Sequence, residues 1–334
     1  MAIAGCGSSS ETSSHTTAST TTTTVASAAT TTSTIPVNPP AVAELPAAEH
    51  PSLSQFPAAN GRTLIALAHL IKSEASMGPA DSMFTLGTQR FAFALSTKSE
   101  RYIYAPTAIY IASTPSSPAQ GPFLAPDDPM TVAPQYRSEQ NQGPGGLQAI
   151  YYSEVPLKRS GVYDVLALTR VHNKLIGSTG ELASALSIPI PAPGHRPPDI
   201  ATDTLATTHG SVALLTTRVP PESMHSVSFN QVLGKRPVAL LFSTPELCTS
   251  RVCGPVTDIL VSLQHEFPQM TFIHEEVYVD NDPAKGLRPQ MHEFGLETEP
   301  WLFVVNRRGI ITARLQGAFG VNEARAALQS GLKG

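Results

Sequence analysis

Three things are scarce in this chain. Among 334 residues there are only three cysteines, no apolar run of the length a membrane-spanning helix needs, and no cluster of basic side chains. A spanning helix takes about 20 consecutive apolar residues, so no segment here is expected to thread a bilayer as a helix. The 22 lysines and arginines are scattered and the net charge is only −4, which gives no footprint for nucleic acid and no polybasic patch for a membrane surface. The cysteines are Cys6, Cys248 and Cys253. Three is odd, so a bond between the last two leaves Cys6 over.

The length has room for about two folded domains, at roughly 100–200 residues each, plus an unstructured portion. Residues 8–60 are almost wholly Ser, Thr, Ala and Pro, with an unbroken threonine run from Thr20 to Thr24. Such a composition buries too little apolar area to offset backbone ordering, and an extended, disordered tether is expected there. Ahead of it, Ile3-Ala4-Gly5-Cys6 resembles the lipobox that closes a bacterial lipoprotein signal peptide. Residues 1–7 are then the remnant of such a signal and Cys6 is the expected lipid acceptor. The charged and apolar regions of a full signal do not precede Cys6, so Met1 is expected to lie inside a longer reading frame. The protein would be anchored by lipid at the outer face of the cytoplasmic membrane, in the cell envelope.

Residues 61–188 read as short strands. Phe84 to Leu95, Ala108 to Ala112, Gln148 to Tyr152 and Val162 to Leu168 are β-type runs, set apart by Gly and Pro at Ser116 to Gly121, Gln142 to Gly146 and Ser160-Gly161. This pattern predicts an all-β sandwich, immunoglobulin-like in form. Its histidines, His69 and His172, are expected to be ordinary surface or core residues. Residues 189–225 begin with a proline-rich stretch and are expected to act as linker and lead-in.

Residues 226–334 carry the chemistry. Pro237 to Phe242 predicts a buried strand, and Gly254 to Phe267 a helix with Val256, Ile259, Leu260, Leu263 and Phe267 on one face and Pro255 in its first turn. Thr271 to Val279 predicts a second strand, Lys285 to Phe294 a helix, Trp301 to Asn306 and Ile310 to Gln316 a hairpin, and Asn322 to Leu332 a closing helix. This order gives an α/β sandwich with a mixed sheet. Cys248 and Cys253 stand between the first strand and the first helix. Unpaired N–H groups and the positive end of the dipole at a helix start favour a thiolate. Four intervening residues permit a disulfide without enforcing one.

The element order, Cys253-Gly254-Pro255 at the helix start, Glu299-Pro300 before a strand and Gly317 after the last strand resemble the thioredoxin-like family over about the last third of the chain. The resemblance implies that Cys253 is the nucleophile and that Pro300, followed by Trp301, is the cis-proline facing it. It departs from the family at the resolving position, which is Val256, and places the second cysteine upstream at Cys248. The chain is also similar to bacterial exported proteins that carry a β-sandwich ahead of a Cys-x4-Cys-Gly-Pro domain of this kind.

Three readings of the pair stay open. In thiol–disulfide exchange with protein thiols and disulfides as partners, Cys253 attacks and Cys248 resolves. In a non-enzymatic surface binding or scaffold protein, the pair is a permanent disulfide pinning the loop. In a copper-binding or delivery module, resembling copper-delivery proteins of the same fold, His274 or His292 would join the cysteines. No cofactor is expected, and the strand before the site offers no acid to take up a proton. Glu275 and Glu276 read as solvated strand residues, Asp258 and Glu266 as exposed helix positions.

Overall fold

The computed structural model describes residues 45–141 and 146–333. In its C-terminal part the strand Val238–Phe242 is central. It pairs in parallel with Thr271–Glu275 on one side and antiparallel with Trp301–Val305 on the other, and Ile311–Gln316 completes the four-stranded sheet. The sheet is thus mixed, as the element order predicts. Alternation along the central strand divides its side chains between two faces. Ala239 and Leu241 pack beneath the helices Cys253–Leu263 and Val321–Gly331, whereas Val238, Leu240 and Phe242 face Phe229, Met291 and Phe294.

Pro289 does not interrupt a helix running from Lys285 to Phe294. It opens a shorter one, Pro289–Glu293, because a proline in the first turn lacks only an N–H that would be unpaired anyway.

The preceding part is a two-sheet sandwich. Thr107–Ala112, Gln120–Ala125, Gly161–Val171 and Lys174–Ala185 belong to one sheet; Ser76–Pro79, Gly87–Ser96, Asp127–Pro129 and Ala149–Leu157 form the other. Phe91, Phe93, Ile109, Ile111, Tyr151 and Val165 fill the space between them.

Two expectations about the flanks are corrected. The tether expected to reach residue 60 is packed from Leu45 onward. Ala48, Phe56 and Ala59 are buried, Phe56 against Leu67 and Tyr110. Phe56 is also the first aromatic residue of the chain, and its burial supplies the apolar area that the preceding segment lacks. Residues 1–44, with most of the expected tether and Cys6, lie outside the described residues. The segment 189–225 is not a free linker either. Ile190 and Ile200 enter the core, and backbone bonds Gly194 N–H to Ile311 O (2.8 Å) and Ile311 N–H to His195 O (2.9 Å) bind it to the sheet edge.

The sandwich and the α/β part share a core. Ala92, Met130, Val132 and Ile150 of the sandwich pack in the same cluster as Leu241, Val256, Leu302 and Phe319. Polar contacts cross there as well. Arg90 bonds Glu323 (2.6 Å), Asp81 (3.2 Å) and the carbonyl of Ala318 (2.7 Å). Gly317, at φ +65°, lies so near the Ala80 carbonyl that a Cβ there would be 1.5 Å from its oxygen, and its N–H donates to Pro300 O at 2.8 Å.

Candidate functional site: the cysteine loop

The buried central strand ends at Phe242, and a ten-residue connection leads to Cys253, the first residue of its helix. Within the connection Cys248 N–H donates to Thr244 O (3.1 Å) and Arg251 N–H to Cys248 O (3.1 Å), with Arg251 turned to φ +58°. That turn folds the Cys248 sulfur back onto the helix start. Val252, at the cap, provides no side-chain acceptor. The Cys248 sulfur lies 3.2 Å from Ser250 Oγ at this point, and the Cys253 thiol, Ser250 and the backbone at 252–253 all favour its anion.

The two sulfurs and a Glu299 carboxylate oxygen lie within 4.8 Å of one another. The hydrogen bond from Cys253, against the cost of burial and with help from Ser250 and the backbone, brings the Cys248 thiol down to about 5. Burial, then the neighbouring Cys248, pushes Cys253 well above its ordinary value. These directions favour ionisation at Cys248 over Cys253, whereas the resemblance implies Cys253 as the nucleophile. Exposure agrees, since Cys253 is 0% exposed and Cys248 5%.

The Glu299–Pro300 peptide bond is cis. Glu299 is half-buried; burial, and next the charge on Cys248, raises its pKa. The sequence reading placed Glu299 only as the residue before Pro300 and sought an acid in the strand ahead of the cysteines. The acid comes instead from the connection leading into the adjacent strand, Trp301–Val305, and its position beside the cis-proline was the available signal.

A sandwich connection closes over the helix. Asp258 is not exposed but fully buried. Its carboxylate accepts from Ser138 N–H (2.9 Å), Asn141 Nδ2 (3.2 Å) and Arg218 Nε (2.9 Å). Burial raises its pKa, while Ser138 and Arg218 oppose the rise. Gln140 sits over Gly254, where a Cβ would come within 2.9 Å of its side chain. Beside the pair a groove of about 340 Å³ is lined by Tyr102, Leu147, Ser250, Val252 and Glu299 among others.

The expected histidines are elsewhere. His292 is exposed on its short helix, and His274 is bound to Glu222 and Ser243 in a separate group from the cysteines. Glu275 and Glu276 are buried at 1% and 0%, contrary to the solvated reading, because residues 203 and 216–218 cover the strand end. Glu275 is held by Arg288 at 3.0 Å. Glu266 is exposed, bonded to Arg325 at 2.8 Å, and His69 and His172 lie at the surface.

No family model and no curated protein matches the chain. Among solved structures it is similar to MTB dsbF, in mixed oxidised and reduced forms, at 17% identity and TM-score 0.28, over 40% of this chain and 98% of that one. It is also similar to a Chlorobium tepidum protein assigned as a thiol:disulfide interchange protein, DsbE, at 13% identity and TM-score 0.29, over 41% and 99%. A third similarity, to the human F-spondin reeler domain, has 10% identity and TM-score 0.19 over 34% and 91%. Likeness at this level carries no argument about activity; the chemistry rests on the geometry of the loop.

Proposed function

We propose that residues 226–334 form a thioredoxin-like module, and that Cys248 and Cys253 exchange between dithiol and disulfide with protein partners. The observation carrying this reading is the meeting of the two sulfurs with the Glu299 carboxylate within 4.8 Å at a helix start, with Ser250 Oγ 3.2 Å from the Cys248 sulfur. A structural cysteine has no use for a stabilised thiolate, whereas a nucleophile does. Cys248 thiolate attacks one sulfur of a substrate disulfide, forming the mixed disulfide and releasing the first substrate thiolate. Cys253 then gives its proton to Glu299 and attacks Cys248 sulfur, releasing the second substrate thiolate. Two enzyme thiols are oxidised to one disulfide as one substrate disulfide is reduced to two thiols. Electron flow in the opposite sense uses the same steps in reverse.

Cys6 would carry the lipid that holds the protein in the cell envelope, and the sandwich would be immunoglobulin-like. A scaffold reading has one observation in its favour, the near-complete burial of both sulfurs. Reduction of a protein disulfide such as that of insulin separates the two. Turnover lost in Cys248→Ser supports exchange. Absence of turnover, with a bridge that resists reduction in the folded protein, establishes the scaffold.

A further inference from the structure

On the far side of Ser243 from the cysteines, three donors converge. His274, fully buried, has Nδ1 2.6 Å from Glu222 Oε1, and the same oxygen lies 2.5 Å from His225 Nε2. The backbone explains the meeting. His274 N–H donates to Met224 O at 2.9 Å, which lays residues 222–225 along the strand edge. The two nitrogens and the carboxylate oxygen all lie within 4.8 Å of one another.

We propose that Glu222, His225 and His274 form a binding site for a divalent transition-metal ion, with zinc as the ion the donor set fits. Imidazole nitrogens with one carboxylate are a zinc-type ligand set. The outer shell is already in place. His274 Nε2 faces the backbone carbonyl of Ser243 at 3.0 Å and its hydroxyl at 2.9 Å, so a proton on Nε2 leaves the Nδ1 lone pair for a metal. Thr216 Oγ1 donates to Glu222 Oε2 at 3.0 Å and orients the carboxylate.

A second observation comes from Glu276. It is fully buried and two residues beyond His274, hence on the same side of the extended chain. Its Oε1 accepts from Thr217 N–H and Oγ1 at 2.6 and 2.8 Å, while Oε2 has no hydrogen-bond partner among the described residues. A dication would take up the charge of the Glu222 carboxylate between the two imidazoles, and Glu276, outside the three atoms that already converge, keeps one oxygen without other employment. Metal–ligand bonds of about 2.0–2.2 Å require the present nitrogen–oxygen contacts to open by less than about 1 Å. His225, 8% exposed at the rim, can supply that movement and the entry path.

The test is titration of metal-stripped full-length protein with Zn²⁺ by calorimetry and with Co²⁺ by absorption. One ion per chain is expected, with cobalt bands of nitrogen–oxygen ligation and no thiolate charge-transfer band. His225→Gln should weaken binding at least tenfold, His225→Asp should recover part of it, and Cys248→Ser/Cys253→Ser should leave it unchanged. Imidazole nitrogen resonances of His225 and His274 in the unaltered protein should move on adding Zn²⁺, a readout independent of any variant. Binding lost in the double serine variant, equal affinity in His225→Gln, or static imidazole signals would each overturn the site.

Discussion

Asp128, on the sandwich, caps the C-terminal helix from outside: its carboxylate accepts the backbone N–H groups of Asn322 and Glu323 at 3.0 and 2.7 Å. Gly320 at the cap has no side chain to do so, and a Cβ there would strike Asp128 within 2.3 Å. Asp128→Ala should therefore cost about 1–2 kcal/mol, the range for losing a good cap. Asp128→Asn, which keeps an accepting oxygen, should cost less. Urea unfolding of the three proteins measures the difference, and equal midpoints would show the cap to be idle.

The acidity of Cys248 depends first on Cys253. In the reduced protein, thiolate absorbance and alkylation at Cys248 should rise with a midpoint near pH 5, as its value of about 5 requires. Cys253→Ala should move that midpoint upward by a unit or more, because the largest acidifying contact is gone, although the N–H groups remain. A midpoint unmoved by the change would assign the acidity to the backbone alone.

Glu299 should act in resolution rather than in attack. Glu299→Gln is expected to leave formation of the mixed disulfide nearly unchanged and to slow its breakdown on the order of 100-fold, the lower range for a lost proton acceptor. Rapid-mixing kinetics with acid trapping reads the two steps separately. Equal slowing of both would mean that the carboxylate positions the loop and does not accept the proton.

Asp127 is 3% exposed and neither carboxylate oxygen has a hydrogen-bond partner among the described residues. Burial, then Glu49 and Asp128, pushes its pKa up to about 7. The folded protein thus binds this proton more tightly than the unfolded chain. The stabilisation is complete below the unfolded value of 3.8 and is lost as pH rises through about 7. Asp127→Asn should remove a loss on the order of 2–3 kcal/mol between pH 5 and 8. Stability curves of the two proteins that run parallel over this interval would contradict it.

The α/β order was readable because its signals are local. Buried strands are continuous apolar runs, the Cys253–Leu263 helix repeats its apolar residues at helical spacing, and Cys253-Gly254-Pro255 marks its start. What was hidden depends on coverage by distant chain. Asp258 lies off the apolar stripe and reads as exposed until residues 138–141 and Arg218 close over it. Glu222 and His274, 52 positions apart, share no periodicity that could link them. The packed start at Leu45 had one local sign, the arrival of Phe56 after a stretch without aromatics, and the abundance of Ser, Thr, Ala and Pro around it obscured that sign.

The close approach at Gly317 restricts how this protein can vary. Its N–H fixes the Pro300 carbonyl while its α-carbon rests against the Ala80 carbonyl. Any drift of the sandwich backbone there is passed to the peptide beside Glu299. In related chains, changes around residues 80–81 should arise together with changes at 317–320, and a sandwich exchanged alone should misplace the carboxylate that the sulfurs require.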